Sequence, residues 1–98
     1  MFVNIISAYR DVVAVCDKEL LGKRFEDDKF QIDVKENFYK GKETERANAI
    51  KIMRELSKED ATFNIVGEKS VSAALEAGII SKKEIGKIHG IPFALVFF

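Results

Sequence analysis

Residues Asn64-Ile65-Val66-Gly67-Glu68 lead from a β-rich run into a helical pattern, and their types and spacing suggest ligand binding. Free backbone N–H groups and the dipole at a helix start attract anions, and ligands of open α/β sheets gather beyond the carboxyl ends of strands. The sequence has no Gly-x-Gly-x-x-Gly or Gly-Lys-Ser motif for a nucleotide, and Glu68 would itself occupy the positive end of the dipole. We favour a structural turn at Gly67 with Glu68 as the helix cap, and retain Asn64, Gly67 and Glu68 as binding candidates.

The turn His89–Pro92 is a second candidate for ligand binding, since it contains Gly90 and follows a cluster of basic residues. The basic residues are Lys82, Lys83 and Lys87. Lysines around a Gly-containing turn can contact phosphate groups, which makes this cluster the main argument for a role with RNA.

The two candidate segments are predicted to lie close together, because both flank predicted buried strands. Gly67 and Gly90 have no Cβ and would allow one backbone to approach the other, or a ligand, closely. The predicted site therefore combines Asn64, Gly67 and Glu68 with the turn formed by His89, Gly90 and Pro92. The alternative is that this cluster only stabilises the fold.

No catalytic or metal-binding arrangement is evident in the sequence. Cys16 is the single cysteine and lies among β-branched residues, so we predict a buried, inert thiol. His89 is the single histidine, and a Cys16–His89 catalytic pair is a remote alternative. One Cys and one His cannot provide a recognisable metal-ligand set, so no metal and no cofactor are predicted. The sequence favours a protein that is not an enzyme, without deciding the matter.

Composition narrows the classes of protein further. The 98 residues suit one domain spanning residues 1–98, and 47% of them are hydrophobic, enough for a core. Sixteen basic residues balance sixteen acidic ones, which argues against a general polyanion binder. The single cysteine and the lack of a basic leader favour the cytoplasm. The longest apolar run, Ile91–Phe98, is too short to span a membrane, so no membrane association is expected.

In the first half of the chain the periodicity predicts three strands. Phe2–Tyr9 and Val12–Cys16 read as a hairpin turning at Arg10-Asp11, with the second strand buried on both faces. Asp17 would cap a short helical turn ending at Gly22. The charged stretch after it, from Lys23 to Lys29, reads as a loop. Phe30–Val34 then alternates as a strand near a sheet edge.

The second half of the chain predicts helices between strands. Glu43–Lys58 and Glu68–Ala77 read as helices, the latter ending at Gly78, with a strand at Ala61–Val66 between them. Ser81–Ile88 has a capping-box start and reads as a short third helix, and Phe93–Phe98 reads as a strand buried on both faces. The predicted fold is a mixed α/β domain in the order β-β-β-α-β-α-β, in which each β-α-β step favours parallel neighbours.

The sequence Asn64-Ile65-Val66-Gly67-Glu68, together with Gly90-Ile91-Pro92, resembles an uncharacterised archaeal family, domain-of-unknown-function family 424. The resemblance covers the whole chain. It implies an archaeal origin, a cytoplasmic location and a broad link to translation, since the family has no established activity. A His often follows the Pro in the family pattern. Phe93 stands there in this chain, which argues against a catalytic role for that position.

Three functions are compatible with these features. The first is a non-catalytic binding module for RNA or a protein partner, which a basic face formed by Lys82, Lys83 and Lys87 with Lys40 and Lys42 would favour. The second is a small-molecule enzyme with its pocket at Asn64–Glu68. The third is an interaction subunit of a larger assembly, which would expose a large apolar surface at Phe97-Phe98.

Overall fold

The computed structural model describes residues 1–97, which form eight short strands, three helices and two turns of 3-10 helix. The strands are β1 (Phe2–Ile6), β2 (Val12–Cys16), β3 (Arg24–Glu26), β4 (Gln31–Asp33), β5 (Lys42–Glu43), β6 (Thr62–Val66), β7 (Gly86–Ile88) and β8 (Ile91–Val96). The helices are α1 (Glu36–Tyr39), α2 (Arg46–Ser57) and α3 (Glu68–Ala77). The 3-10 turns cover Lys18–Leu20 and Lys82–Glu84.

Six strands form one mixed sheet in the order β5-β1-β2-β6-β8-β7. The β2–β6 pair is parallel, with Cys16 opposite Val66, and the other neighbours are antiparallel. The carboxyl ends of β2 and β6 therefore lie beside the start of β8, since Val66 is also opposite Phe93. This edge of the sheet brings together the ends of three strands that are distant in sequence.

The two faces of the sheet are covered differently. Helices α2 and α3 cover one face and bury the main apolar cluster, which includes Val13, Met53, Phe63 and Ile65. On the other face lie the two-stranded β3–β4 hairpin and the single turn of α1, over a smaller cluster around Tyr39. We call this second side the hairpin side of the sheet.

The mixed α/β fold in one compact unit agrees with the sequence prediction, and so do the main helices. Helix α3 has the predicted bounds and ends at Gly78. Helix α2 begins three residues later than predicted, because Lys42 and Glu43 pair with β1 as a short edge strand. Strand β2 is buried on both faces as expected, apart from half-exposed Val12.

The first hairpin has a longer connection than the sequence suggested. Strand β1 ends at Ile6, which is opposite Val12, so five residues rather than Arg10-Asp11 alone form the loop. Tyr9 in this loop is fully exposed. A two-residue turn requires Gly or Asn at positive φ, and Arg10-Asp11 provides neither.

The sequence predicted a loop over Lys23–Lys29. Part of this charged stretch is a strand instead, because Arg24–Glu26 pairs with Gln31–Asp33 as the β3–β4 hairpin. Strand β4 therefore belongs to a separate small sheet and not to the edge of the main one. The Asp27 carboxylate accepts N–H bonds from Lys29 and Phe30, each 2.8 Å long, and these bonds close the turn. Strand β3 was not predicted, because two of its three residues are charged and exposed and its sequence shows no apolar periodicity.

The predicted third helix is also wrong. The capping box at Ser81 and Glu84 is present, but it begins a single 3-10 turn, and β7 follows at Gly86–Ile88. Because β7 pairs with β8 through the turn at His89 and Gly90, the chain reverses once more. Strand β8 then runs antiparallel to β6, and the predicted parallel pairing of these two strands is wrong.

Strand β8 is an interior strand, as predicted, but it is not buried on both faces. Pro92 and Ala94 face the helices and are buried, whereas Leu95 is 48% exposed on the hairpin side. Phe97 follows β8 and is 67% exposed. Phe98, the last residue of the predicted strand, lies outside the described residues.

This difference in burial predicts different costs for two truncations on neighbouring strands. Phe63→Ala removes a fully buried ring from the core and should lower the free energy of unfolding by about 3–5 kcal/mol. Leu95→Ala should cost roughly 1 kcal/mol, because about half of that side chain is already in water. Urea unfolding followed by circular dichroism measures both, and equal losses would contradict the description of β8.

Candidate functional site

The carboxylate of Asp17 connects the end of β2 to the start of α3. Asp17 is 3% exposed, and its Oδ1 accepts bonds from Ser70 N–H (2.8 Å) and Ser70 Oγ–H (2.7 Å). Oδ2 accepts a 3.1 Å bond from Lys69 N–H. These donors belong to the first turn of α3, where backbone N–H groups have no partner within the helix. Asp17 thus caps a helix more than fifty residues away in sequence.

Gly67 makes this cap possible. Its φ is 110°, and a Cβ there would collide with the Asp17 carboxylate. Asp17 has no side-chain bond to the 3-10 turn that it was predicted to cap, and Glu68 is exposed and was wrongly predicted to cap α3. Because a carboxylate already occupies the positive end of α3, an anion would be repelled there.

The segments around Gly67 and Gly90 lie close together. Gly67 N–H donates a 2.9 Å bond to the Pro92 carbonyl oxygen, and Gly67, Glu68 and Gly90 line one small cleft of about 180 Å³ with Asp17. Backbone bonds, the buried cap and short turns account for this contact. The cleft contains no polar side chain that lacks a partner and is also buried, among the residues described.

His89 attaches the small hairpin to the turn before β8. Its φ is 50°, and its exposed ring donates from Nε2–H to the Glu26 carbonyl oxygen over 2.7 Å. The ring therefore joins the β7–β8 turn to β3 and does not face the cleft beside Gly67.

Asn64 lies apart from the rest of the predicted cluster. It is two residues before Val66 on β6, opposite Ala14 and Leu95, and points to the hairpin side. There it lines a pocket of about 260 Å³ between β4 and the sheet, which we call the hairpin pocket. The pocket is lined by Phe30, Ile32, Tyr39, Asn64, Phe93 and Leu95, together with the polar residues Gln31 and Asp33.

Beyond this pocket, residues 1–97 leave part of the hairpin side of the sheet exposed. Ile6, Val12 and Thr62 are half-buried neighbours on β1, β2 and β6, and their side chains alternate onto the same face as Leu95. Phe97 continues this row past the end of β8. We call Ile6, Val12, Thr62, Leu95 and Phe97 the open face.

Charged residues are absent from the four strands that carry the open face. The sequences of β1, β2, β6 and β8 contain no Asp, Glu, Lys or Arg. The alternation of side chains along these strands shows which residues share a face of the sheet. It does not show which face the helices cover, so the open face could not be predicted from it. Asp17, Tyr39, Phe30 and Leu95 were not predicted as site residues from the sequence.

Lys82, Lys83 and Lys87 do not lie near Lys42, so these lysines do not share one basic face. Lys82, Lys83 and Lys87 are exposed near β7, whereas Lys42 belongs to β5, at the opposite edge of the six-stranded sheet. Neighbouring strands are about 4.8 Å apart, so roughly 24 Å of sheet separates the two edges. Of the three lysines, Lys83 borders a shallow depression with Phe30 and Phe93.

Cys16 is buried as predicted, and burial raises the pKa of its thiol to about 11. The negative charge of neighbouring Asp17 adds to this shift. A thiol with this pKa carries little thiolate at neutral pH and is a poor nucleophile. No group of three His, Cys, Asp or Glu side chains suited to a metal ion occurs among residues 1–97.

Comparison with known proteins establishes the family. The sequence profile of the family described as "Protein of unknown function (DUF424)" matches residues 6–98. The chain belongs to this family. This DUF424 domain is also similar to an uncharacterized conserved protein from Methanopyrus kandleri, whose crystal structure gives a TM-score of 0.85 at 31% identity. That similarity covers 97% of this chain and 88% of the other.

No functionally curated protein matches the DUF424 domain significantly. Within the described part of the chain, no helix combines the length and apolar character needed to cross a membrane.

The Asp17 cap predicts a large effect from a small substitution. Asp17→Ala leaves the N–H groups of Lys69 and Ser70 without their acceptor, and should lower the free energy of unfolding by about 2–4 kcal/mol. Glu19→Ala, at an exposed carboxylate two residues later, should change it by less than about 0.5 kcal/mol. Thermal unfolding of both variants measures the difference, and equal stabilities would refute the cap.

Cys16 should react slowly with a thiol reagent in the folded protein. The raised pKa and the burial both limit attack, so labelling at pH 8 should accelerate at least a hundredfold in denaturant. Mass spectrometry of the labelled protein follows the reaction. Rapid stoichiometric labelling of the native domain would show that the thiol is accessible.

Proposed function

We propose that this DUF424 domain is a non-catalytic module that binds a protein partner through the open face. The observation that carries the proposal is the exposure of Leu95 and Phe97 beside half-exposed Ile6 and Val12, on strands without a charged residue. Single exposed apolar side chains are normal on protein surfaces. A contiguous apolar group on adjacent strands is a feature of interaction sites.

The chemistry of the open face favours protein over RNA. RNA binding relies on cations that neutralise phosphates, and β1, β2, β6 and β8 contribute none. The ring of Phe93 packs edge-on against Phe30 at 5.2 Å, so it is not free to stack on a base. The domain as a whole has no net charge.

The size of the open face indicates the form of the partner. Four strands about 4.8 Å apart span roughly 15 Å, and an α-helix with side chains is about 10–12 Å wide. We infer that the partner presents one amphipathic helix with a narrow apolar stripe.

Two further parts of the proposal concern the origin and the location of the protein. An archaeal origin is supported by the source of the Methanopyrus kandleri relative. A cytoplasmic location is supported by the single, unpaired cysteine.

A substitution at the end of the open face tests the proposal. Phe97→Lys places a charge in the apolar row but removes no buried contact, so folding should be retained. The domain is used to capture proteins from a nuclease-treated lysate of the native host, and the captured protein is then purified and titrated by calorimetry. Phe97→Lys should weaken binding at least tenfold.

Tyr9→Lys is the matched control, since it also replaces an exposed aromatic residue by lysine but lies in the β1–β2 loop. This variant should bind as the parent does. Equal affinities for all three proteins would overturn the proposal. Capture of RNA that depends on Lys82, Lys83 and Lys87 would overturn it in favour of an RNA-binding module.

A further inference from the structure

The hairpin pocket adjoins the open face and shares Leu95 with it. Strand β4 forms one wall, and β6 and β8 form the floor, so the pocket extends from the open face beneath the small hairpin. Its volume of about 260 Å³ is below the roughly 300–1,000 Å³ of sites for drug-sized ligands and cofactors. A ligand of this size is a single ring or one side chain.

Tyr39 contributes a hydroxyl group to this pocket. The residue as a whole is 6% exposed, and its hydroxyl makes no hydrogen bond among residues 1–97, although the oxygen is not among the fully buried atoms. Burial raises the pKa of Tyr39 to about 12, so the hydroxyl stays protonated and can both donate and accept a bond.

Asn64 contributes a second polar group from the sheet floor. Its half-buried side chain lines the pocket and makes no side-chain hydrogen bond within the described chain. The equivalent side chain on β1 differs, because Asn4 Nδ2–H donates to the Phe38 carbonyl oxygen over 2.7 Å. Asn64 therefore offers a carboxamide, with donors and an acceptor, that the fold does not use.

The remaining lining is suited to an aromatic ring. Phe30 and Phe93 meet edge-on, and Ile32 and Leu95 add apolar walls, while Gln31 and Asp33 of β4 also line the pocket. The lining includes no lysine or arginine, so a phosphate group has no counter-charge there. Aromatic rings favour edge-to-face contacts, and a ring with a hydrogen-bonding edge could meet both Tyr39 and Asn64.

We propose that the hairpin pocket binds a tyrosine or tryptophan side chain of the protein partner, with Tyr39 and Asn64 bonding to the polar edge of its ring. This inference rests on the proposed function, because it names the residue with which the partner on the open face is anchored. Aromatic residues in fully desolvated pockets provide much of the binding energy at interfaces. Tyr39 and Asn64 then determine which aromatic residue is accepted.

Blocked amino acids test the pocket without the partner. N-acetyl-tyrosinamide, N-acetyl-tryptophanamide and N-acetyl-phenylalaninamide are titrated into the ¹⁵N-labelled domain and followed by NMR. The tyrosine and tryptophan probes should shift the amide signals of Tyr39, Asn64 and Phe93, and bind at least fivefold more tightly than the phenylalanine probe. Tyr39→Phe should reduce the tyrosine-to-phenylalanine ratio to about one.

Tyr9→Phe is the matched control, because it deletes the hydroxyl of the other tyrosine, which is fully exposed. It should leave the preference unchanged. Asn64→Leu is a second variant that should also remove the preference, should Tyr39→Phe unfold the domain. Equal binding of the three probes to the parent domain, or no shift at any concentration, would overturn the inference.

The two proposals fail separately. If the probes bind as expected but Phe97→Lys does not weaken binding of the captured protein, the open face is not the interface and the pocket stands alone. If Phe97→Lys weakens binding while the probes show no preference, the partner binds the open face without an aromatic anchor.

Discussion

The structure depends on one buried carboxylate. Asp17 directly follows β2, and its two oxygens accept the hydrogen bonds that hold the first turn of α3 beside the carboxyl ends of β2 and β6. A buried charge is stable only if its hydrogen-bonding capacity is used, and here three donors from Lys69 and Ser70 use it. The interaction aligns the only parallel pair among the described strands with the helix that covers it, and it requires the absence of a side chain at Gly67.

This cap also determines what the sheet edge can do. In many α/β proteins the gap between a strand and the next helix accepts an anionic ligand. Here the chain provides its own anion, and the 180 Å³ cleft beside Gly67 and Gly90 retains only backbone and exposed side chains. The unused polar groups lie instead on the opposite side, where Tyr39 and Asn64 face the space under the small hairpin. The proposed binding site therefore lies on the faces of the strands and not at their ends.

The sequence was sufficient for those elements whose signal is local. Helix α3 followed from the spacing of Val71, Ala74 and Leu75 and from Gly78, and the burial of Cys16 followed from its β-branched neighbours. Pairing between distant segments gives no such signal. Asp17 was read as a cap for the turn that follows it, because the helix it serves begins more than fifty residues later.

Two further incorrect predictions also concern features that depend on contacts between segments distant in sequence. Strand β7 was read as part of a helix because its sequence, Gly-Lys-Ile, is too short to show alternation, and only β8 makes it a strand. Leu95 was expected to be buried because its neighbours are apolar. Its exposure depends on how far the β3–β4 hairpin extends over the sheet, which is a property of the tertiary structure.

The uncharged central strands have a consequence for folding and solubility. Short segments with high β-propensity and no charge associate readily with copies of themselves when they are exposed. In the parallel pair, Val12 is opposite Thr62, which lies 50 positions later in the sequence. One edge of β2 therefore stays unpaired until this distant strand has been positioned during folding. In the native sheet the uncharged strands are enclosed between two very short edges that carry Lys42 and Lys87. Short, lysine-bearing edges are a known protection against aggregation, so aggregation should be a hazard of the folding chain more than of the folded domain.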